Sequence, residues 1–293
     1  MSETKKGFPI LSVLCFSFFA IVFVTASVLL LQNKLTERKE QSGFEQLAQL
    51  ARQAGTSQEP EPDKASLTAD PVATPKPTVL PQYQQLKALN GDLYGWISIE
   101  DTEIDYPVML TPEAPEKYLH LDFDGQYSFS GVPFADAGTA EASVNTLVYG
   151  HHMQNGTMFA GLMKYVDSSY RNAHPAIRFD TVYQTGEYEV LAAFYSQIYY
   201  SPSKTDFVYY DYSNINSEKQ FDEYVAKCKE ASLYDTGVDA QWGDKLITLS
   251  TCAYHVANGR FVVVARSCQG KPGTAAQTQA AQTVGSVLAG AME

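Results

Sequence analysis

The chain has 293 residues, 45% of them hydrophobic and 18% charged, which suits one sizeable packed domain with appendages. Its formal net charge of −12 argues against a nucleic-acid partner, because such binding rests on Lys and Arg neutralising phosphates. Of four cysteines, Cys15 lies in an apolar N-terminal run, and the odd remainder (Cys228, Cys252, Cys268) makes a poor disulfide framework and leaves at least one free thiol.

Residues 1–9 carry Lys5 and Lys6 and read as a short N-terminal segment. From Ile10 to Leu31 the chain is uncharged and rich in Leu, Val and Phe. As a helix this stretch is about 33 Å long, enough to cross a hydrocarbon core. A cleavable signal peptide is the competing reading, given the basic start and the small residues between Ala20 and Ser27. The apolar run exceeds a signal core in length, which favours a retained transmembrane anchor over 10–31. Residues 32–80 read as a stalk. Leu35–Ala54 has loosely helical apolar spacing, and the Pro-rich polar stretch that follows cannot bury enough surface to fold.

The globular domain spans 81–268. "QYQQLKALNGDLYGW" predicts a short helix stopped at Asn90-Gly91. "GWISIEDTEIDYPVML" holds two apolar runs around a Glu-Asp turn, and "NTLVYG" and "AIRFDTVY" are strand-like. "EYEVLAAFYS" follows a Gln-Thr-Gly turn, which suggests a hairpin. "TMFAGLMKYV" and "SEKQFDEYVAKCKEASLY" are helical. In the second, Phe221, Tyr224, Val225, Cys228 and Ala231 fall on one face, with Ser217 as N-cap. The domain closes on two β-branched runs, "KLITLSTC" and "RFVVVAR". A mainly β domain with peripheral helices follows, with closure into a barrel as the way to hide its edges. The small-residue-rich stretch 269–293 reads as a loose tail.

A cysteine becomes a nucleophile when a histidine or a nearby cation lowers its pKa or takes its proton. Five histidines are present: His120, His151, His152, His174 and His255. His151 and His152 follow "NTLVYG", where a strand passes into a loop, and Cys252 likewise terminates "KLITLSTC". By itself a strand cysteine is more often a small core hydrophobe. Cys228, on the apolar stripe of its helix, reads as core. His174 reads as a surface residue and His255 as a solvated loop residue. Asp122 and Asp124 are too few for a calcium cage, and no Cys/His cluster has zinc spacing, so neither metal nor cofactor is expected.

"TLSTC" (248–252), followed eight residues later by Arg260 at the head of "RFVVVAR", resembles the signature that ends sortase domains. "NTLVYGHHMQNGTMF" is similar to the histidine segment of class B sortases, and "YLHLDFDGQYSFSGVPFADA" to the stretch preceding it. The helix before the cysteine strand sits where class B enzymes carry an extra one. The resemblance covers roughly 81–268 and implies an eight-stranded β-barrel whose cleft holds a Cys, a His and an Arg. It implies a cysteine transpeptidase, in which the thiol attacks the bond after the Thr of a short sorting signal on a secreted protein. An amine of the cell wall or its precursor then resolves the thioacyl-enzyme. By motif, Cys252 is the nucleophile, His151 the general acid and base, and Arg260 the oxyanion and substrate-backbone ligand. Ser250 and Thr251 line up with positions that face the bound peptide. His152 is the alternative to His151, since strand period does not say which neighbour points into the cleft. Lys and Arg on both sides of the apolar run leave its orientation open. The implied chemistry places 1–9 in the cytoplasm and the domain outside.

A cell-wall cysteine hydrolase would share the thiol and the location. L,D-transpeptidases carry a Ser-His-Gly-Cys run that is missing here. A non-enzymatic surface binding module would carry an inert Cys252. One local signal competes with the family pattern. Asn258-Gly259 is a strong two-residue hairpin signal, and a tight hairpin there would pair Cys252 with Ala265 and bring Arg266 to the thiol. The family arrangement instead leaves 253–259 open and sets Cys252 beside Arg260.

Overall fold

A computed structural model describes residues 10–56, 77–140 and 143–268. The expectations for 1–9, for most of the Pro-rich stretch and for 269–293 lie outside the described residues. Two compact units divide the chain near residue 46. The first is the greater part of one helix, α1 (Ile10–Thr56). The apolar run over 10–31 and the helical spacing over Leu35–Ala54 join in this one helix. Between Leu31 and Gly43 the polar residues are mostly Gln, Lys, Glu and Arg, all good helix formers, so the helix continues. Among the described residues, α1 is the one helix long and apolar enough to cross a membrane. Its apolar side chains, Phe16, Phe19 and Phe23 among them, stand exposed along the first half.

The second unit is a closed eight-stranded barrel. Its strands are β1 (Leu93–Ser98), β2 (Asp105–Met109), β3 (Phe134–Ala135), β4 (Asn145–Tyr149), β5 (Ala176–Thr181), β6 (Glu187–Gln197), β7 (Leu246–Cys252) and β8 (Gly259–Ser267). They close in the order β1-β2-β3-β4-β7-β8-β6-β5. Most pairs are antiparallel, but β2 with β3 and β4 with β7 are parallel. Three α-helices lie outside the wall: α2 (Pro81–Leu89), α3 (Ser168–Ala173) and α4 (Glu218–Ala231). A 3-10 helix over Phe159–Val166 follows the loop that leaves β4.

α4 buries the four predicted positions Phe221, Tyr224, Val225 and Cys228, while Ala231 is exposed. Ser217 precedes the helix in extended backbone, but its hydroxyl makes no capping bond. The apolar face joins Leu191, Leu246, Val262 and Val264 in one core. Each large apolar side chain so buried contributes about 1.5–3 kcal/mol of transfer energy. This second core explains the unbroken apolar run in β8. Val262 and Val264 meet α4, and their neighbours Phe261, Val263 and Ala265 are buried on the alternate face.

Candidate active site

β7 and β8 pair antiparallel from Leu246 opposite Arg266 to Cys252 opposite Arg260. Cross-strand partners share a face, so the thiol and the guanidinium emerge side by side, with Cα atoms about 4.5–5.5 Å apart for such a pair. Residues 253–258 form the open loop, not a two-residue hairpin. Ala253 N–H donates to Gly259 O (3.0 Å) and Gly259 N–H to Val256 O (3.1 Å). Asn258, at φ 56°, turns the chain into β8. His255 packs its ring on Tyr195 of β6 at 4.5 Å. The guanidinium of Arg260 rests on its own loop, with Nη1 donating to Gly259 O (3.0 Å) and Asn258 O (3.3 Å). Nε and Nη2 remain for another acceptor.

The histidine segment arrives on the other side of β7. β4 runs parallel to β7 with Tyr149 level with Ser250, and Gly150 N–H donates to Ser250 O (3.1 Å). The ladder ends there, and His151 and His152 follow two and three residues past Tyr149, on the loop that leaves β4 beside the end of β7. Glycine is required at 150, because a Cβ there would collide with the ring of Phe159. His151, His152, Cys252 and Arg260 are all half-buried.

The two imidazoles have different partners. His152 Nδ1 donates to Cys252 O (2.9 Å), and its ring lies against Tyr254. A carbonyl only accepts, so this nitrogen carries the hydrogen. His151 Nε2 likewise donates to Leu119 O (2.9 Å). Burial holds the His151 imidazole below its usual pKa, with a smaller push in the same direction from His120; the Leu119 carbonyl opposes both. At pH 7 His151 is therefore predominantly neutral.

Ser250 and Thr251 lie in the wall of the site. Both are buried. The Thr251 hydroxyl donates to Gly150 O (2.8 Å), across the β4–β7 joint. Ser250 Oγ and the Tyr209 hydroxyl share a 2.7 Å hydrogen bond on the face that carries Cys252. Burial pushes Tyr209 up to about 12, against the Ser250 bond and the charge of Arg260. Tyr209 and His120 are the residues that sequence reasoning missed. The first is 41 positions from Ser250, and no local pattern marks it. The other cysteines are far from this chemistry in character. Cys228 is fully buried under α4, Cys268 is exposed at the end of β8, and no disulfide joins the described cysteines. No metal-binding cluster occurs among the described residues.

Fold and site together define a β-barrel protein with a half-exposed thiol opposite a guanidinium and a two-histidine segment on the loop that leaves the neighbouring strand. The family model for the sortase domain matches residues 97–268, more than half of the chain. Sortase B of Listeria monocytogenes is 34% identical over 173 residues, covering 58% of this chain and 67% of that protein. Sortase B of Staphylococcus aureus is 32% identical over 192 residues, covering 64% and 75%. A solved Staphylococcus aureus sortase B–substrate complex superposes with a TM-score of 0.66 at 26% identity, covering 81% of this chain and all of that one. The chain belongs to the sortase family and, within it, to class B. In general terms it is therefore a cell-wall sorting transpeptidase.

Proposed function

We propose that the protein is a cysteine transpeptidase acting on secreted proteins that bear a short sorting motif, with Cys252 as nucleophile. The observation that carries this reading is the register that ends Cys252 and Arg260 side by side, with the His151-His152 pair just past the end of the neighbouring strand β4. Neutral His151 takes the thiol proton, and Sγ adds to the scissile carbonyl carbon. Arg260 holds the resulting oxyanion. As the C–N bond breaks, the proton returns from His151 to the departing amine and a thioester remains. An acceptor amine of peptidoglycan or its precursor then attacks, His151 takes its proton, and the C–S bond breaks to restore Cys252. Ser250 and Thr251, expected at the peptide, support the site from beneath through Tyr209 and Gly150.

Product analysis tests this against the hydrolase reading. With a sorting-motif peptide and excess amine, the expected product is the new amide. Release of free acid alone, whatever the amine concentration, would make the protein a hydrolase.

The location is part of the proposal. α1 anchors the chain in the cell membrane by a single pass, with the barrel outside where wall precursors lie. Protease added to intact protoplasts should remove the barrel domain. Complete protection would place it in the cytoplasm and exclude a wall acceptor.

A further inference from the structure

The carbonyl that holds His151 belongs to an unusually well-braced segment. Residues Lys117–Leu119 form a 3-10 turn, and Tyr118 is buried within it. The Tyr118 hydroxyl donates to Asp92 Oδ2 (2.8 Å) and accepts from Asn90 Nδ2 (2.8 Å), while Lys117 Nζ donates to Asp92 Oδ2 (2.6 Å). Val132 N–H binds Tyr118 O and Ser128 N–H binds His120 O, both at 3.0 Å. Gly131, at φ 58°, lies so close that any Cβ would collide with the carbonyls of Tyr118 and Leu119. The Leu119 oxygen is thus fixed from several sides.

His120, the next residue, is exposed to solvent and lays its ring over His151, with centroids 5.6 Å apart and planes at 28°. The ring of Tyr127 also lies near that of His120, at 6.4 Å and 25°. We infer that His120 is a positioning residue for His151: its ring and its neighbour's carbonyl hold that imidazole in the tautomer whose Nδ1 exchanges protons with Cys252 and the substrate. The inference rests on the proposed role of His151.

Two consequences follow from chemistry. Leu119 O can only accept, so Nε2–H is occupied and Nδ1 is the one basic nitrogen left. Two imidazoles face to face also repel when both are charged, so protonation of His120 disfavours protonation of His151. The other titratable or charged groups at this end of the barrel include Cys252, Arg260, His152, Tyr209, Tyr254, His255 and Tyr127. None of them stacks on the His151 ring as His120 does.

The test uses the full-length protein in detergent. Deuterium exchange at the imidazole C2 position, read by mass spectrometry against pH, gives the His151 titration midpoint. His120→Phe keeps an aromatic face without charge and should raise that midpoint. His120→Arg places a permanent cation there and should lower it. The acid limb of kcat/KM should move in the same directions, and His120→Ala should lose about tenfold in kcat/KM through lost orientation. A midpoint that stays put, or shifts the same way, in the Phe and Arg variants overturns the inference. Thermal melts identify any variant that fails to fold, and His120 is exposed enough to be replaced. A separate arm tests the role of His151: His151→Ala should lose about 10²–10⁴-fold, and His152→Ala much less. If His151→Ala stayed active while the midpoints moved as expected, the coupling would stand and the catalytic assignment would fail.

Discussion

Cys252→Ala should abolish turnover of a sorting-motif peptide, and mass spectrometry of the wild-type protein with substrate should find the thioester on Cys252. Cys228→Ala and Cys268→Ala should keep their activity. The contrast follows from where each thiol sits. Cys228 is enclosed by α4 and the barrel wall, and burial pushes its pKa far above the usual thiol value, so it forms no thiolate near neutral pH. Replacing it costs packing, on the order of 1 kcal/mol, and leaves the chemistry alone. Cys268 is reachable, but partial desolvation raises its pKa, and the carboxylates of Glu187 and Glu189 add to the rise. Only Cys252 combines access with a cation paired across the ladder. Turnover by the Cys252 variant would remove the mechanism altogether.

Arg260→Ala should come close to the same loss while melting near the wild-type temperature. Arg260→Lys should also be poor, because an ammonium lacks the planar fork that can keep its bonds to the loop carbonyls and still offer donors to an oxyanion. Arg266 is the control. It stands opposite Leu246, six residues along β7 from Cys252, or about 20 Å at strand spacing. Its guanidinium pairs with Glu189 Oε2 (3.2 Å), while Glu189 Oε1 faces Arg171 at 3.7 Å. Both Arg266 and Glu189 are partly exposed, so Arg266→Ala should cost no more than about 1 kcal/mol of stability and little activity. Paired peptide assays and melts decide it. An essential Arg266 beside a dispensable Arg260 would mean the oxyanion is bound elsewhere than the ladder suggests.

Most strands were legible because they are β-branched or aromatic runs with turn residues at their ends. Leu246–Cys252 and the apolar run of β8 are the plainest cases. The helical stripe of α4 was equally plain, down to Cys228. Local patterns are insufficient where a competing term decides the geometry, and at 253–259 the open-loop reading, not the tight hairpin, is the one the register bears out. Asn258-Gly259 signals a tight turn, yet Asn258 instead bends the end of a longer loop whose backbone is tied to β6 through Ile198 N–H and Asn258 O (3.0 Å). β3 spans two residues and exists because β2 and β4 flank it, so nothing in its own sequence announces it. Ser250 and Thr251 adjoin Cys252 in the sequence, but strand alternation does not reveal that Tyr209 and Gly150 claim their hydroxyls. His120 was visible only as one histidine among five; its contact with His151 is created by the barrel.

The parallel joint between β4 and β7 gives this enzyme a built-in delay. Gly150 and Thr251 are bonded across it although 101 positions separate them. A parallel pair has no hairpin to nucleate it, and contacts of such long range form only after the costly closure of a long loop. Until that closure, the segment that carries His151 and His152 is not held beside the strand that ends in Cys252. On the mechanism proposed above, reactivity therefore begins with the completed barrel, when the strands that carry the thiol, Arg260 and the histidine segment have met.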